Sequence, residues 1–175
     1  MSMYLDVVGI TGESINLKVP NWNQKIDDNT MGYDVSQKTS LEAGSGLIAG
    51  GAIFSPMQIS KVMDRSTPYL WAKLCAGEPI ATVTIRVSRT GGASGLYEAE
   101  KYILENVIVT SYHTSGSPGP GGLPMESWSF AFTAITEVYR TVDVKGGFVA
   151  PQTAGWDVSA NLARIGPGAA MGNPS

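Results

Sequence analysis

The chain is poor in the residues that carry most enzyme chemistry. Its 175 residues include one histidine, His113, and one cysteine, Cys75. A lone cysteine excludes an intrachain disulfide, and one His with one Cys is too small a ligand set for a structural zinc site. Charged side chains make up only 15% of the residues and the net charge is −3, which argues against non-specific nucleic-acid binding. No segment is long and apolar enough to span a membrane. The opening MSMYLDVVGI lacks a basic n-region and carries Asp6, so neither membrane insertion nor a signal peptide is expected. By these signals the protein stays in the cytoplasm unless a dedicated machine exports it.

A sparsely charged surface hints that a partner covers part of it. What is abundant is glycine (21) and proline (10), beside 43% hydrophobic residues. That combination points to many turns in a β-rich fold with a core of ordinary size, and the length suits one domain.

One stretch, Ser60 to Gly77, holds a helix, expected from Pro68 to Ala76. Pro68 suits the first helical position and Thr67 before it can serve as N-cap. Leu70, Trp71, Leu74 and Cys75 fall on one stripe at helical spacing, and Gly77 is a natural stop. Leu70, Trp71 and Leu74 are therefore expected to form the helix core, with Cys75 a small buried hydrophobe among them. A helix this short needs a sheet to lie on.

The remaining elements read as strands. Met3–Ile10 is the first, and Met31, Tyr33 and Val35 alternate with polar neighbours. Pro79–Arg89 is the clearest, with Ala81, Val83, Ile85 and Val87 on one face. Leu96–Tyr112 is a long strand or a pair. Trp128, Phe130 and Phe132 share a face, and a shift of period predicts a bulge near Ala134. Ser40–Gly51 reads as a glycine-rich loop whose Leu41, Leu47 and Ile48 want cover, either from the body of the protein or from another subunit. From Lys145 onward the chain reads as a partly docked tail. The expectation is six to eight strands and one helix: a mainly β fold, sandwich or barrel, with the helix on its side.

No catalytic constellation stands out. His113 has Ser111 and Ser115 near it, but sequence neighbours do not make a triad. Gly44-Ser-Gly46-Leu-Ile-Ala49 matches the dinucleotide-loop spacing without the strand and helix that the motif requires. Glu98 and Glu100 share a strand face without a paired proton acceptor. Arg86, Arg89 and Lys101 do not cluster as a phosphate site does. No cofactor or metal is expected. With candidate edge strands open to pairing, a self-assembling structural or binding protein is favoured over an enzyme.

Four stretches together resemble the Hcp family, the haemolysin-coregulated proteins that form the inner tube of bacterial type VI secretion systems. The first is Met3 to Ser14, with Gly9, Gly12, Glu13 and Ser14 in a Gly-x-x-Gly-Glu-Ser pattern. The second is Ile59 to Pro68, with the Lys-x-x-Asp-Arg-Ser-Thr-Pro pattern of Lys61 to Pro68. The third is the Ser- and Gly-rich loop from Ser111 to Gly122. The fourth runs from Glu126 through Phe132 to Tyr139. The resemblance spans about residues 3 to 142. It divides the chain into an Hcp-like β-barrel domain, 1–142, and a Gly/Pro-rich C-terminal extension, 143–175. Asn21–Thr30 departs from the family pattern.

The resemblance implies a β-barrel or two packed sheets flanked by one short helix, assembled as a hexameric ring. Rings would stack into a tube that sheath contraction expels with a spike at its tip, and the lumen would carry or chaperone small effector proteins. Such a protein is cytoplasmic before firing and extracellular afterwards, without a signal peptide. Leu41, Leu47 and Ile48 are then candidates for subunit or ring-stacking contact. The alternatives are the tail-tube protein of another phage-like contractile particle, or a secreted effector or adhesin.

Overall fold

The computed structural model of the chain describes residues 2–15, 25–42, 44, 46–91, 95–118 and 122–167. Residues 16–24, 92–94 and 119–121 lie outside the described residues, and with them part of the Asn21–Thr30 departure and of the Ser111–Gly122 loop. The described strands are β1 (Ser2–Val7), β2 (Ile26–Asp28), β3 (Thr30–Gly32), β4 (Val35–Glu42), β5 (Gly46–Phe54) and β6 (Met57–Val62). After the helix α1 (Thr67–Ala76) come β7 (Ile80–Thr90), β8 (Leu96–Pro118), β9 (Pro124–Ala131), β10 (Ala134–Tyr139), β11 (Gln152–Asp157) and β12 (Leu162–Ala163).

Two sheets share one strand. The first runs β12-β11-β10-β8-β7-β1-β2, and the second runs β3-β6-β9-β8. β8 serves both because it is 23 residues long. Its first half pairs with β7 and β10, and from Ile108 onward it pairs with β9. Between the halves Asn106 adopts φ +49°, a left-handed backbone that asparagine tolerates better than most residues. Every described pairing is antiparallel. Of the expected architectures, two packed sheets is the one that forms: among the described residues no pairing joins the end strands β12 and β2.

The core lies between the sheets. Leu5, Ile85, Tyr102 and Leu104 of the first sheet meet Met57, Ile59, Trp128 and Phe130 of the second. The alternation expected for β7 holds for Val83, Ile85 and Val87, all buried; Ala81, nearer its start, is exposed. The period shift after Phe132 marks a change of sheet rather than a bulge. β9 ends at Ala131 in the second sheet and β10 begins at Ala134 in the first.

The helix differs from its expected core. Leu70 is fully buried and Leu74 is half-buried against the core, but Trp71 is 53% exposed and Cys75 is exposed. Trp71 stands about 100° around the helix from Leu70, and Cys75 about 100° from Leu74, past the line where the sheet covers it. Ser66, not Thr67, is the N-cap, and Gly77 closes the helix at φ +64°. The Thr67 hydroxyl is committed elsewhere.

Ser40–Gly51 is not a loop. It belongs to a β-ribbon, β4 paired with β5, in which Leu41 faces Leu47 and Ser40 faces Ile48. Gly50 and Gly51 stand together opposite Lys38, where the register shifts, so one glycine pair forms a bulge instead of a loop. The tail is also more ordered than the sequence suggests. β11 pairs with all of β10, putting Trp156 opposite Ile135 and against the core. Gly155 allows this, because a Cβ there would lie 2.1 Å from the Arg164 carbonyl oxygen.

Candidate functional site

Beneath α1 lies a buried polar cluster. Lys61 on β6 is fully buried, and its ammonium donates to Asp64 Oδ1 at 2.8 Å and Thr67 Oγ1 at 3.1 Å. It also sits 2.9 Å from Glu126 Oε2, on a side chain that is likewise fully buried. Glu126 accepts in addition from the Thr67 hydroxyl (2.8 Å), Trp128 Nε1 (3.2 Å) and the Tyr112 hydroxyl (3.1 Å). Asp64 further accepts from the Ser66 backbone N–H. One ammonium bridges two carboxylates, and the surrounding Thr67, Tyr112, Trp128 and Ser66 donors use their remaining acceptor capacity, so the cluster anchors the helix to the second sheet. Sequence reasoning took these residues only as a family pattern. The signal was there: Glu126 shares the parity of Trp128 and Phe130, which places a carboxylate on the core face.

The groups considered for catalysis are scattered. His113 is exposed on β8 opposite Ser127, and the Ser111 hydroxyl is bonded to Ser129 Oγ at 2.8 Å. Glu98 and Glu100 belong to ion pairs, Glu98 with Arg86 at 2.7 Å and Glu100 with Arg89 at 2.8 Å. The Gly44–Ala49 stretch forms the end of the ribbon, with no helix after it. One carboxyl is set apart: burial pushes Asp28 up to about 7, with the backbone N–H groups of Thr30 and Asn29 and the Lys61 charge offsetting it only in part.

What the structure does assemble is exposed surface of two kinds, one of hydroxyls and one apolar. The outer face of the second sheet carries two rows across four strands. One runs Thr30, Ser60, Ser127, His113; the other runs Gly32, Gln58, Ser129, Ser111. No member carries a formal charge at neutral pH with His113 neutral, and hydroxyls dominate. Thr30 and Ser60 share a hydrogen bond of 2.7 Å. Beside this face, among the described residues, the second half of β8 pairs with β9 on one side and with no strand on the other along residues 108–118.

The β4–β5 ribbon is the second exposed feature. Eight residues of β4 make it about 23 Å long at roughly 3.3 Å per step. Leu41 is 80% exposed, Leu47 72% and Ile48 40%. The register brings Leu41 and Leu47 together on one face and sets Ile48 on the other, so the three expected contact residues form a tip that is apolar on both sides. At its base the ribbon packs inward, with Phe54 against Phe132 edge-on at 6.1 Å. Between that base and β10–β11 lies a cleft of about 320 Å³. One wall is Val35, Gln37, Ala52 and Phe54; the other is Ile135, Glu137, Ala154 and Trp156. Tyr33 closes it, its hydroxyl 3.4 Å from Glu137 Oε2.

Comparison with known proteins gives these surfaces a context. The protein is 28% identical over 107 residues to the Major exported protein of Pseudomonas aeruginosa, a stretch that covers 58% of this chain and 62% of that one. It therefore spans less than two thirds of that relative's length. The fold matches a structure described as a type six secretion system protein with a TM-score of 0.82, at 24% identity, covering 93% of this chain and 99% of that one. It matches Hcp1 from Salmonella typhimurium with a TM-score of 0.71, at 25% identity, over 93% and 98% of the two chains. Residues 4–139 match the family described as "Type VI secretion system effector, Hcp", and the chain belongs to that family.

Proposed function

We propose that this protein is the repeating unit of a type VI secretion inner tube, and that its work is mechanical. The observation that carries the reading is the unpaired half of β8. A heterologous ring needs a different patch on each side of the subunit. The four-stranded second sheet offers two: the free edge of β8 at one end and the short strand β3 at the other. Hexameric rings joined along these edges would turn the hydroxyl rows toward a central channel. A wall of Ser, Thr and Gln without charge would let folded effector proteins pass while holding them weakly.

Stacking then falls to the ribbon. Leu41, Leu47 and Ile48 reach past the body of the subunit, and burying them against the next ring would give each contact a hydrophobic gain. Sheath and spike are the partners this reading requires, with release from the cell following sheath contraction. The name of the Pseudomonas aeruginosa relative, an exported protein, supports that destination.

The test is mass in solution by light scattering, with negative-stain images of the same peak. Rings predict a mass near six times 18.5 kDa and annular particles. A monomer at millimolar concentration would refute ring assembly by this chain alone. Leu47→Asp with Ile48→Asp should leave rings that no longer stack, and tubes from that variant would refute the role given to the ribbon.

A further inference from the structure

The ribbon tip is apolar on both faces, which no flat surface could cover. Leu41 and Leu47 lie on one side and Ile48 on the other, so the receiving surface must have two walls. The structure contains one such place. The cleft between the ribbon base and β10–β11 has an apolar wall on each side, Val35 with Phe54 and Ile135 with Trp156.

Register connects the cleft to the tip. On β4, Val35, Gln37, Thr39 and Leu41 share a face. On β5 the bulge at Gly50–Gly51 keeps Phe54, Ala52, Ala49 and Leu47 on that same face. On β5 the apolar stripe that lines the cleft therefore continues to the end of the ribbon, while on β4 Gln37 and Thr39 stand between Val35 and Leu41. The paired ribbon extends from the cleft at its base and carries its tip about 23 Å away, which places the tip to fill the cleft of another copy. Charge agrees with this pairing. Glu137 is the one charged side chain lining the cleft, and Lys38, on the ribbon's other face, is exposed. Its long stem can reach around the ribbon edge to a carboxylate.

We propose that the cleft between the ribbon base and β10–β11 receives the β4–β5 tip of a second copy of this chain. The inference rests on the reading of the ribbon as the stacking element and names its receptor. Donor and acceptor sit on one subunit and differ from each other, so the contact is heterologous and repeats without closing on a pair. Each ribbon hands the assembly on to a further copy, as a tube requires. It also gives a reason for β11, since Ala154 and Trp156 build the outer wall.

The experiment is a cysteine pair, Leu47→Cys with Ala154→Cys, in a Cys75→Ser background that removes the exposed native thiol. The full chain is assembled at high concentration, oxidised mildly and run on a non-reducing gel. The expected result is a ladder of covalently linked chains, absent from either single-cysteine variant. Tubes that form without a ladder would overturn the cleft as receptor while leaving the ribbon's role intact. Chains that stay monomeric at millimolar concentration and give no ladder would overturn the receptor and the assembly reading together. Tubes from the Leu47→Asp, Ile48→Asp variant would instead overturn the ribbon reading itself. As a second measure, Ala154→Arg should abolish stacking while rings persist, because a guanidinium would fill the cleft. Normal stacking of that variant would also overturn the proposal.

Discussion

Lys61→Met removes one charge from the interior and keeps most of the side-chain volume. The ammonium it deletes lies 2.8 Å from Asp64 and 2.9 Å from Glu126, with no solvent on the Lys61 or Glu126 side chains. Two carboxylates then face each other across the Thr67 hydroxyl without a cation. Breaking a buried pair by removing one partner costs about 3–5 kcal/mol. In a chain of 175 residues, each kcal/mol lowers Tm by about 2–4 °C, so the variant should melt roughly 6–20 °C below the parent. Adding Glu126→Gln should recover part of that loss, because the two sites are coupled and their separate costs do not add. Thermal and urea denaturation at one fixed protein concentration would measure both effects, since assembly makes stability depend on concentration. A loss below about 1 kcal/mol with an unchanged urea slope would refute the view that this lysine is structural.

Leu70→Ala should cost about 2–5 kcal/mol as a fully buried leucine, and Trp71→Ala should cost less than half as much because the indole is largely in solvent; equal losses on a denaturant curve would contradict the placement of the helix. Asp28 holds its proton in the folded state up to about pH 7 but only to about 3.8 when unfolded, so its contribution to stability is full below pH 3.8 and is lost as pH rises through 7. Asp28→Asn should therefore flatten the pH profile of stability between about 4 and 7 and raise stability above 7; an unchanged profile would refute the burial argument. Gly155→Ala would put a Cβ 2.1 Å from the Arg164 carbonyl oxygen and 2.9 Å from Thr136 Oγ1. It should loosen β11 and β12, read as faster tryptic cleavage at Arg164 with the rest of the chain intact.

Much of the fold was legible because alternation is a strong signal where one face of a strand is buried. Val83, Ile85 and Val87 on β7 and Trp128 and Phe130 on β9 all read correctly for that reason. The ribbon did not, because strands solvated on both faces carry no period. Gly46, Gly50 and Gly51 then look like loop residues, although Gly46 pairs with Glu42 and the other two form a bulge within the ribbon. The sheet change at Phe132–Thr133 left a period shift that is the same in sequence as a bulge. Trp71 misled for a different reason. A helical stripe tells which residues share a face, but how wide a strip the sheet covers is decided by the sheet.

The contact surfaces were legible only in part, and the reason lies in the chemistry of assembly. A catalytic site concentrates rare residue types, and with one His and one Cys the sequence offers few of them to notice. An assembly surface uses common residues, and what marks it is unsatisfied potential in the isolated chain. Leu41, Leu47 and Ile48 carried that mark as leucines among glycines, which sequence could register but not orient. The free half of β8 carried none, since an unpaired edge differs from a paired one only in its neighbours. The cleft was further from reach. Its walls come from residues 35–54 and 135–156, and they meet only because β10 pairs with a tail strand, β11, that glycine and alanine make look disordered. Gly155 is what allows that strand to lie down, through an approach too close for any side chain. The residue that most resembled a flexible tail is thus the one that builds the proposed receptor for the ribbon.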